Sequence, residues 1–179
     1  MILDLRRLPI LESERLRLEP LKVEDAEAIF PILGDPEVTA YWDAPEPDDP
    51  DVVADVVRSQ VENMQAGRAM HWTIRTLADR SFVGCFDLTD IDRRHRRAEV
   101  GFMLSRDAWG QGYAPEAMRT AVAFAAGSGL RKLAARTSLG HRRSESVLEK
   151  LGFEEEGLLR GHMLEDGERR DCRLWGLLL

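Results

Sequence analysis

The stretch that most restricts the fold is Phe102-Met-Leu-Ser-Arg-Asp-Ala-Trp-Gly-Gln-Gly-Tyr-Ala-Pro-Glu116. An apolar run ends, two glycines follow within three residues, and a proline introduces an alanine-rich segment. Gly110 and Gly112 permit tight backbone geometry, and Pro115 suits the first position of a helix. Ala114, Ala117, Met118, Ala121, Val122 and Ala125 then recur along one stripe, so this helix is expected to lie close on a sheet. A strand therefore feeds a turn whose backbone N–H groups gather at a helix N-terminus, a ready place for an anion. Hydrogen bonds to a charged partner contribute about 1.5–3 kcal/mol each, so a few can hold a pyrophosphate without the lysine this turn lacks. A dinucleotide-binding fingerprint would need a third glycine where Pro115 stands, and the Gly-Lys-Ser/Thr of a phosphate loop is absent. On their own, two glycines before a helix also fit a loop that merely needs them.

The flanking chain supplies the sheet. Glu14-Arg-Leu-Arg-Leu-Glu19 alternates apolar and charged residues and reads as a half-buried strand. A helix is expected from Glu24 to Leu33, kinked or ended early by Pro31. The loop Ala44 to Asp51 is too rich in proline and acid to be regular. Val53, Val56, Val57, Val61 and Met64 recur at helical spacing, with Gly67 placed to close that helix. His71–Thr76, Phe82–Leu88 and Ala98–Leu104 are strand-like with short connections, which predicts an antiparallel meander. After the Gly-rich turn and its helix come a strand at Lys132–Thr137, a short helix at Ser144–Leu151, a strand from Phe153 and a last strand at Cys172–Leu179. No repeat or linker interrupts them, so residues 1–179 are expected to form one α+β domain with a mixed, mostly antiparallel sheet and flanking helices.

Charge narrows the partners. The formal net charge is −7, which disfavours nucleic acid and favours a cationic substrate such as an amine. The basic run Arg93-Arg94-His95-Arg96-Arg97 reads as a solvated hairpin turn before it reads as a phosphate patch. No run of about 20 apolar residues and no signal-peptide pattern is present, so a cytoplasmic location without a membrane partner is expected. Cys85 and Cys172 read as buried structural thiols, pairing only if their strands were neighbours. No Cys/His spacing of zinc-site type appears, so no metal is expected.

Trp109-Gly-Gln-Gly-Tyr-Ala114, taken with its surroundings, resembles the GNAT acetyltransferase superfamily, whose pyrophosphate motif is Arg/Gln-x-x-Gly-x-Gly/Ala. Trp109 in the first place is similar to the ribosomal-protein N-terminal acetyltransferase (RimJ/RimL-type) branch. Glu14-Arg-Leu-Arg-Leu, Asp35-Pro-Glu-Val, Ala98-Glu-Val-Gly-Phe, Ser144-Glu-Ser-Val-Leu-Glu-Lys-Leu-Gly-Phe153, Gly157-Leu-Leu-Arg160 and Asp171 look like further landmarks of that branch. The resemblance implies acetyl-CoA as co-substrate, bound through Trp109, Gly110, Gln111, Gly112, Tyr113 and Ala114. It also implies that the Glu99–Leu104 strand splays from the Lys132–Thr137 strand, with the pantetheine arm pairing to main chain at Met103 and Leu104. A homodimer is compatible with the resemblance, and no sequence feature requires one.

Acetyl transfer to nitrogen needs a neutral amine, a stabilised oxyanion and a proton for the departing thiolate. At pH 7, deprotonating an α-amine costs about 1.1 kcal/mol and a lysine about 4.6 kcal/mol, so a modest base suffices for the former. Glu99 is the candidate base, or else an edge carboxylate paired with an arginine of the preceding turn. Ser144 matches a serine that the branch places near the sulfur and is the candidate proton donor; a helix N-terminal serine satisfying a backbone N–H is the other reading. Relatives often carry a tyrosine where Leu148 stands. His141 stands where the branch has Asn, as a cofactor contact or a loop histidine. Tyr41 and Trp42 are candidates for an aromatic acceptor wall, or for core. The sequence thus points to N-acetylation of a peptide α-amine or small-molecule amine, with a non-catalytic acyl-CoA sensor as the alternative.

Overall fold

The computed structural model describes residues 8–41, 47–165 and 167–179. Among them the chain forms strands β1 (Leu11–Glu12) and β2 (Leu16–Pro20), then helices α1 (Ala26–Leu33), α2 (Pro36–Thr39) and α3 (Pro50–Gln65). Strands β3 (Met70–Thr76), β4 (Phe82–Asp92) and β5 (Arg97–Leu104) follow, then α4 (Tyr113–Gly127), β6 (Lys132–Ser138), α5 (Arg142–Lys150), β7 (Glu154–Glu165) and β8 (Glu168–Leu178). The strands make one sheet in the order β1-β2-β3-β4-β5-β6-β8-β7. Every neighbouring pair is antiparallel except β5 with β6. The architecture is α+β, with the expected meander at β3–β5 and β2 added antiparallel along β3.

Alternation along the strands sorts the side chains onto two faces. On one, Leu16, Leu18, Met70, Trp72, Ile74, Phe86 and Leu88 pack with Ala117, Met118, Ala121 and Ala125 of α4 and with Leu148 of α5. Small side chains at the alanine positions bring α4 close, as the stripe predicts. On the other face, Met103 and the partly buried Cys85 meet Ile29 and Ile32 of α1 and Val53, Val57 and Met64 of α3. Cys85 and Cys172 lie on β4 and β8, which have two strands between them in the sheet order, and both are free thiols. No described helix is long and apolar enough to cross a membrane.

Several expected boundaries shift for local reasons. Pro31 lies inside α1, yet the helix runs on to Leu33. The helix begins only at Ala26, so the proline removes one early hydrogen bond, and buried Ile29 and Ile32 hold the remaining turn. Part of the expected loop at 44–51 is helical, because Asp49 accepts from Asp51 N–H and Pro50 occupies the first turn of α3. Pro115 is the third residue of α4, not the first: Gly112 caps the helix at φ 78° and lets it begin at Tyr113. A proline there still costs no intrahelical bond, since its missing N–H falls in the first turn. Helix α5 starts two residues before Ser144, β4 runs four residues beyond Leu88, and β8 starts four residues before Cys172. The basic turn is a hairpin between β4 and β5, where Asp92 accepts from His95 N–H and pairs with Arg97 at 3.5 Å.

Gly84 fixes the separation of β4 and β5. A Cβ there would stand 2.0 Å from the Met103 carbonyl oxygen and 2.8 Å from Leu104 Cα, both backbone atoms that cannot turn away. Gly84→Ala is therefore expected to lower unfolding free energy by about 3 kcal/mol, the upper end of ordinary overpacking, read as a urea midpoint shift at unchanged slope.

Candidate functional site

The site originates in a break in backbone pairing. Strand β5 pairs with β6 only at Arg97–Lys132, Ala98–Leu133 and Glu99–Ala134. From Val100 onward β5 stays with β4, while β6 stays with β8 as far as Ser138. The two strands part as the expected splay requires, and the β5 edge from Val100 to Leu104, including Met103 and Leu104, has no β6 partner. Bare main-chain donors and acceptors on a strand edge are ready to pair with an extended, amide-bearing ligand.

At the end of that edge lies the Gly-rich turn. Gly110 and Gly112 take φ values of 73° and 78°, conformations that side chains disfavour. The N–H groups of Gly110, Gln111 and Gly112 make no close hydrogen bond to any described residue, and those of Tyr113 and Ala114 are free as first-turn groups are. The turn is braced from several sides. Trp109 Nε1 donates to the Leu104 carbonyl at 3.1 Å, and Gln111 Nε2 donates to the Asp107 carbonyl at 2.6 Å. Arg15 donates to the Gln111 carbonyl at 3.0 Å and pairs with Glu116 at 2.6 Å. Buried Glu116 also accepts from Ser13 Oγ at 2.7 Å and Arg15 N–H at 2.8 Å. Burial alone would raise the Glu116 pKa, but these hydrogen bonds outweigh it and hold the carboxyl below its ordinary value.

Trp109 has a second role. The Arg143 guanidinium lies over its ring at 3.9 Å, bringing a cation to a turn that has none of its own. Arg15, Glu116 and Arg143 were not found by sequence reasoning. Only the i, i+2 alternation of Arg15 with Arg17 and the basic pair Arg142-Arg143 hint at them.

Two hollows meet at the fork. A cleft of about 520 Å³ is lined by the turn, Met103, Leu104, Arg142, Arg143, Ser144 and Lys150. A cavity of about 290 Å³ lies between the sheet and helices α1 and α3. Tyr41, Phe102, Met103, His141 and Ser144 line both. His141 is the N-cap residue of α5 and stacks on the Tyr41 ring, centroids 4.4 Å apart and planes 10° from parallel. Burial, then the Arg143 charge, lower its pKa, so the imidazole is held neutral. Ser138 Oγ ties the Tyr41 carbonyl to the end of β6 at 2.9 Å. Ser144 is the third residue of α5, not its cap, and its hydroxyl has no described hydrogen-bond partner. Trp42 lies outside the described residues. The α5 start that carries His141 and Ser144 is anchored by buried Glu145, which meets Arg173 of β8 at 2.5 Å and Arg142 at 3.4 Å.

Two carboxylates flank the fork on the face of α1 and α3. Glu99 is paired, not with the preceding turn but with Arg136 of β6 at 2.7 Å, and it is not among the cavity-lining residues. Asp87 does line the cavity, directly across the ladder from His71 on one side and Gly101 on the other. Burial, and secondarily the Glu99 charge, push its pKa up to about 7, against the Gly101 N–H that favours the ionised form. Burial pushes His71 down to about 4.

Residues 15–154 match the family model described as acetyltransferase (GNAT) domain. The uncharacterized N-acetyltransferase p20 of Bacillus licheniformis is 30% identical over 169 residues, which are 94% of this chain and 95% of that protein. Among solved structures, RimL, a ribosomal L7/L12 alpha-N-protein acetyltransferase, superposes with a TM-score of 0.87 at 17% identity, over 96% of this chain and 94% of its own. The spermidine N-acetyltransferase of Vibrio cholerae in complex with CoA and spermine gives 0.81 at 19% identity, over 93% and 96%. At such identities the structural likeness speaks for the fold.

The two shifted groups set opposite stability trends. Asp87 favours protonation in the fold, so its ionisation penalises the folded state above pH 7 and the penalty fades as pH falls from about 7 toward 3.8. His71 is neutral in the fold, so its contribution is full above 6.5 and is lost as pH falls toward about 4. Asp87→Asn is expected to be more stable than the native chain at pH 8, with the advantage shrinking by at most roughly 1.4 kcal/mol per unit as pH is lowered to 5. Denaturant midpoints at pH 5, 6.5 and 8 measure this; an advantage that grows toward pH 5 would contradict it.

Proposed function

Because this chain belongs to the GNAT acetyltransferase family, we propose that it moves the acetyl group of acetyl-CoA to a primary amine, a peptide α-amine or a small-molecule amine, by direct attack in a ternary complex. The observation that carries this reading is the shared wall of cleft and cavity at Tyr41, Phe102, Met103, His141 and Ser144. A thioester entering from one side and an amine from the other would meet there. A sensor that holds acyl-CoA without turnover needs the cleft alone, so the second hollow favours transfer. The sheet extends through β8, beyond the residues matched by the family model, which supports reading the chain as one acetyltransferase unit.

The residues present fit the co-substrate. Free N–H groups at the turn and the α4 N-terminus suit a pyrophosphate, and Arg143 on Trp109, with Arg142 and Lys150 beside it, suits the other phosphate charge. The open β5 edge at Met103 and Leu104 suits the amides of the pantetheine arm. Acetyl-CoA supplies the acyl group as a thioester, whose C–S bond breaks as the amine nitrogen bonds to the acyl carbon. Ser144, with no hydrogen bond from its hydroxyl to a described residue, is assigned the proton for sulfur, and neutral His141 is assigned a hydrogen bond at the junction in place of Asn. Glu99 was the expected base. Its pairing with Arg136 leaves it a supporting charge in this reading. The Rim-type resemblance supports a peptide α-amine without excluding small amines.

Gly112→Trp would bury the anion site under an indole, and isothermal titration is expected to show CoA affinity reduced at least about a hundredfold. Ser144→Ala is expected to lower kcat by roughly 10²-fold, within the usual range for a proton donor, with CoA affinity unchanged. Wild-type protein that fails to bind CoA, or Gly112→Trp that binds it normally, would remove the cofactor assignment.

A further inference from the structure

The cavity beside the fork is more specific than a general amine site. Its walls are apolar over most of their area, with Leu21, Ile29, Val53, Val57, Phe86 and Val100 among them. Asp87 is the one carboxylate among its described lining residues. The other polar lining groups offer no second anion: Arg136 is bound to Glu99, Cys85 is held as a thiol by burial, and His71 is held neutral by burial. Gly101 makes room for Asp87, since a Cβ at 101 would lie 2.8 Å from its carboxylate oxygen. That glycine lies on the bare β5 edge, two residues from Met103, so the carboxylate stands beside the place assigned to the acyl group.

Resting on the acetyltransferase reading, we propose that the acceptor is an amine carrying a single positive charge and a compact apolar substituent, with Asp87 meeting the ammonium and taking the proton whose loss frees its nitrogen to attack. A polyamine brings further ammonium groups, and each one inside this cavity would be buried without a carboxylate, a cost of several kcal/mol. A volume of about 290 Å³ is at the small end for a ligand pocket, which suits one side-chain-sized group. The proton balance is complete: the ammonium nitrogen loses one proton to Asp87, which frees the lone pair that attacks; the N–C bond forms and the C–S bond breaks; nitrogen gives its second proton to solvent, the thiolate receives one from Ser144, which solvent restores, and Asp87 returns its own to solvent, so one proton is released in all. The same chemistry is presented by a free monoamine and by the first residue of a peptide with an apolar N-terminal side chain.

The test uses the full chain with acetyl-CoA, following release of the CoA thiol. Isoamylamine, phenethylamine, a Leu-initiated peptide, a Glu-initiated peptide and spermidine are the acceptors. The apolar acceptors are expected to exceed spermidine and the Glu-initiated peptide by at least tenfold in kcat/KM. The ratio of free amines to Leu-peptide tells which source the cavity serves. Asp87→Asn is expected to lower kcat/KM for the preferred acceptor about a hundredfold, and to replace the native levelling of kcat/KM above about pH 7 by a rise that continues toward the amine's own pKa, while CoA affinity is kept. Val56, half-exposed at the cavity wall, permits a gain-of-charge control that leaves the core intact: Val56→Asp is expected to raise spermidine turnover and reduce that of isoamylamine. Spermidine used as well as the apolar amines, or Asp87→Asn with unchanged kcat/KM and intact CoA binding, would overturn the proposal and leave the cofactor reading standing. Failure of the native chain to bind CoA would overturn both.

Discussion

The end of pairing between β5 and β6 after Glu99 and Ala134 is the constraint on which the rest of the structure depends. A sheet loses stability wherever backbone groups lie buried and unpaired, so a fork at its centre persists only if each strand is held by its other neighbour. Here β4 runs along β5 to Leu104, and β8 runs along β6 to Ser138. Gly84 brings β4 within a hydrogen atom's contact of the forked stretch, and the Trp175 indole donates to Thr137 at 2.9 Å on the other branch. The opening is thus a rigid feature of two well-paired half-sheets, bridged over its mouth by side chains from α5 and from the segment after α2.

How much of this was legible in the residues follows from the range of the interactions. The meander, the helix after the Gly-rich turn and the small-residue stripe depend on local periodicity, and they appear where that periodicity puts them. The turn is equally local, since Gly110 and Gly112 are needed at positive φ by their own backbone. Pro31 and Pro115 misled because a proline tells only that one N–H is missing; which turn of a helix it falls in depends on where the cap forms. Glu99 shows a limit of another kind. Its strand and face could be inferred, but the arginine that claims it lies 37 residues away on β6. Asp87 gave no signal at all, being one acidic residue in an alternating strand, and its meaning comes from standing opposite Gly101 in a cavity that only the folded sheet encloses.

The two hollows divide the chemistry by charge. On the cleft side, backbone N–H groups and three basic side chains converge on the turn and α5. On the cavity side the described walls are mostly aliphatic and aromatic, with Asp87 as the one carboxylate among them. Tyr41 stacked on His141 lies in the boundary, and the neutral imidazole adds no charge to either compartment. In the proposed reading, a polyanionic co-substrate and a cationic acceptor would be drawn to opposite sides of one wall. Fold-level likeness gives the first compartment; the second is written in this chain's own side chains.

The Arg143–Trp109 stack has a consequence for how a ligand arrives. The chain carries a formal charge of −7, while the cleft is lined by Arg142, Arg143 and Lys150 with Glu37 as the opposing charge. Beyond about 8 Å, one Debye length at physiological ionic strength, the repulsion of a multiply charged phosphate ligand by the acidic particle is largely screened; inside that distance the ligand meets an attracting mouth. Added salt therefore works in two directions, easing the approach and loosening the hold. Speed of encounter and residence in the cleft therefore respond to ionic conditions with opposite signs.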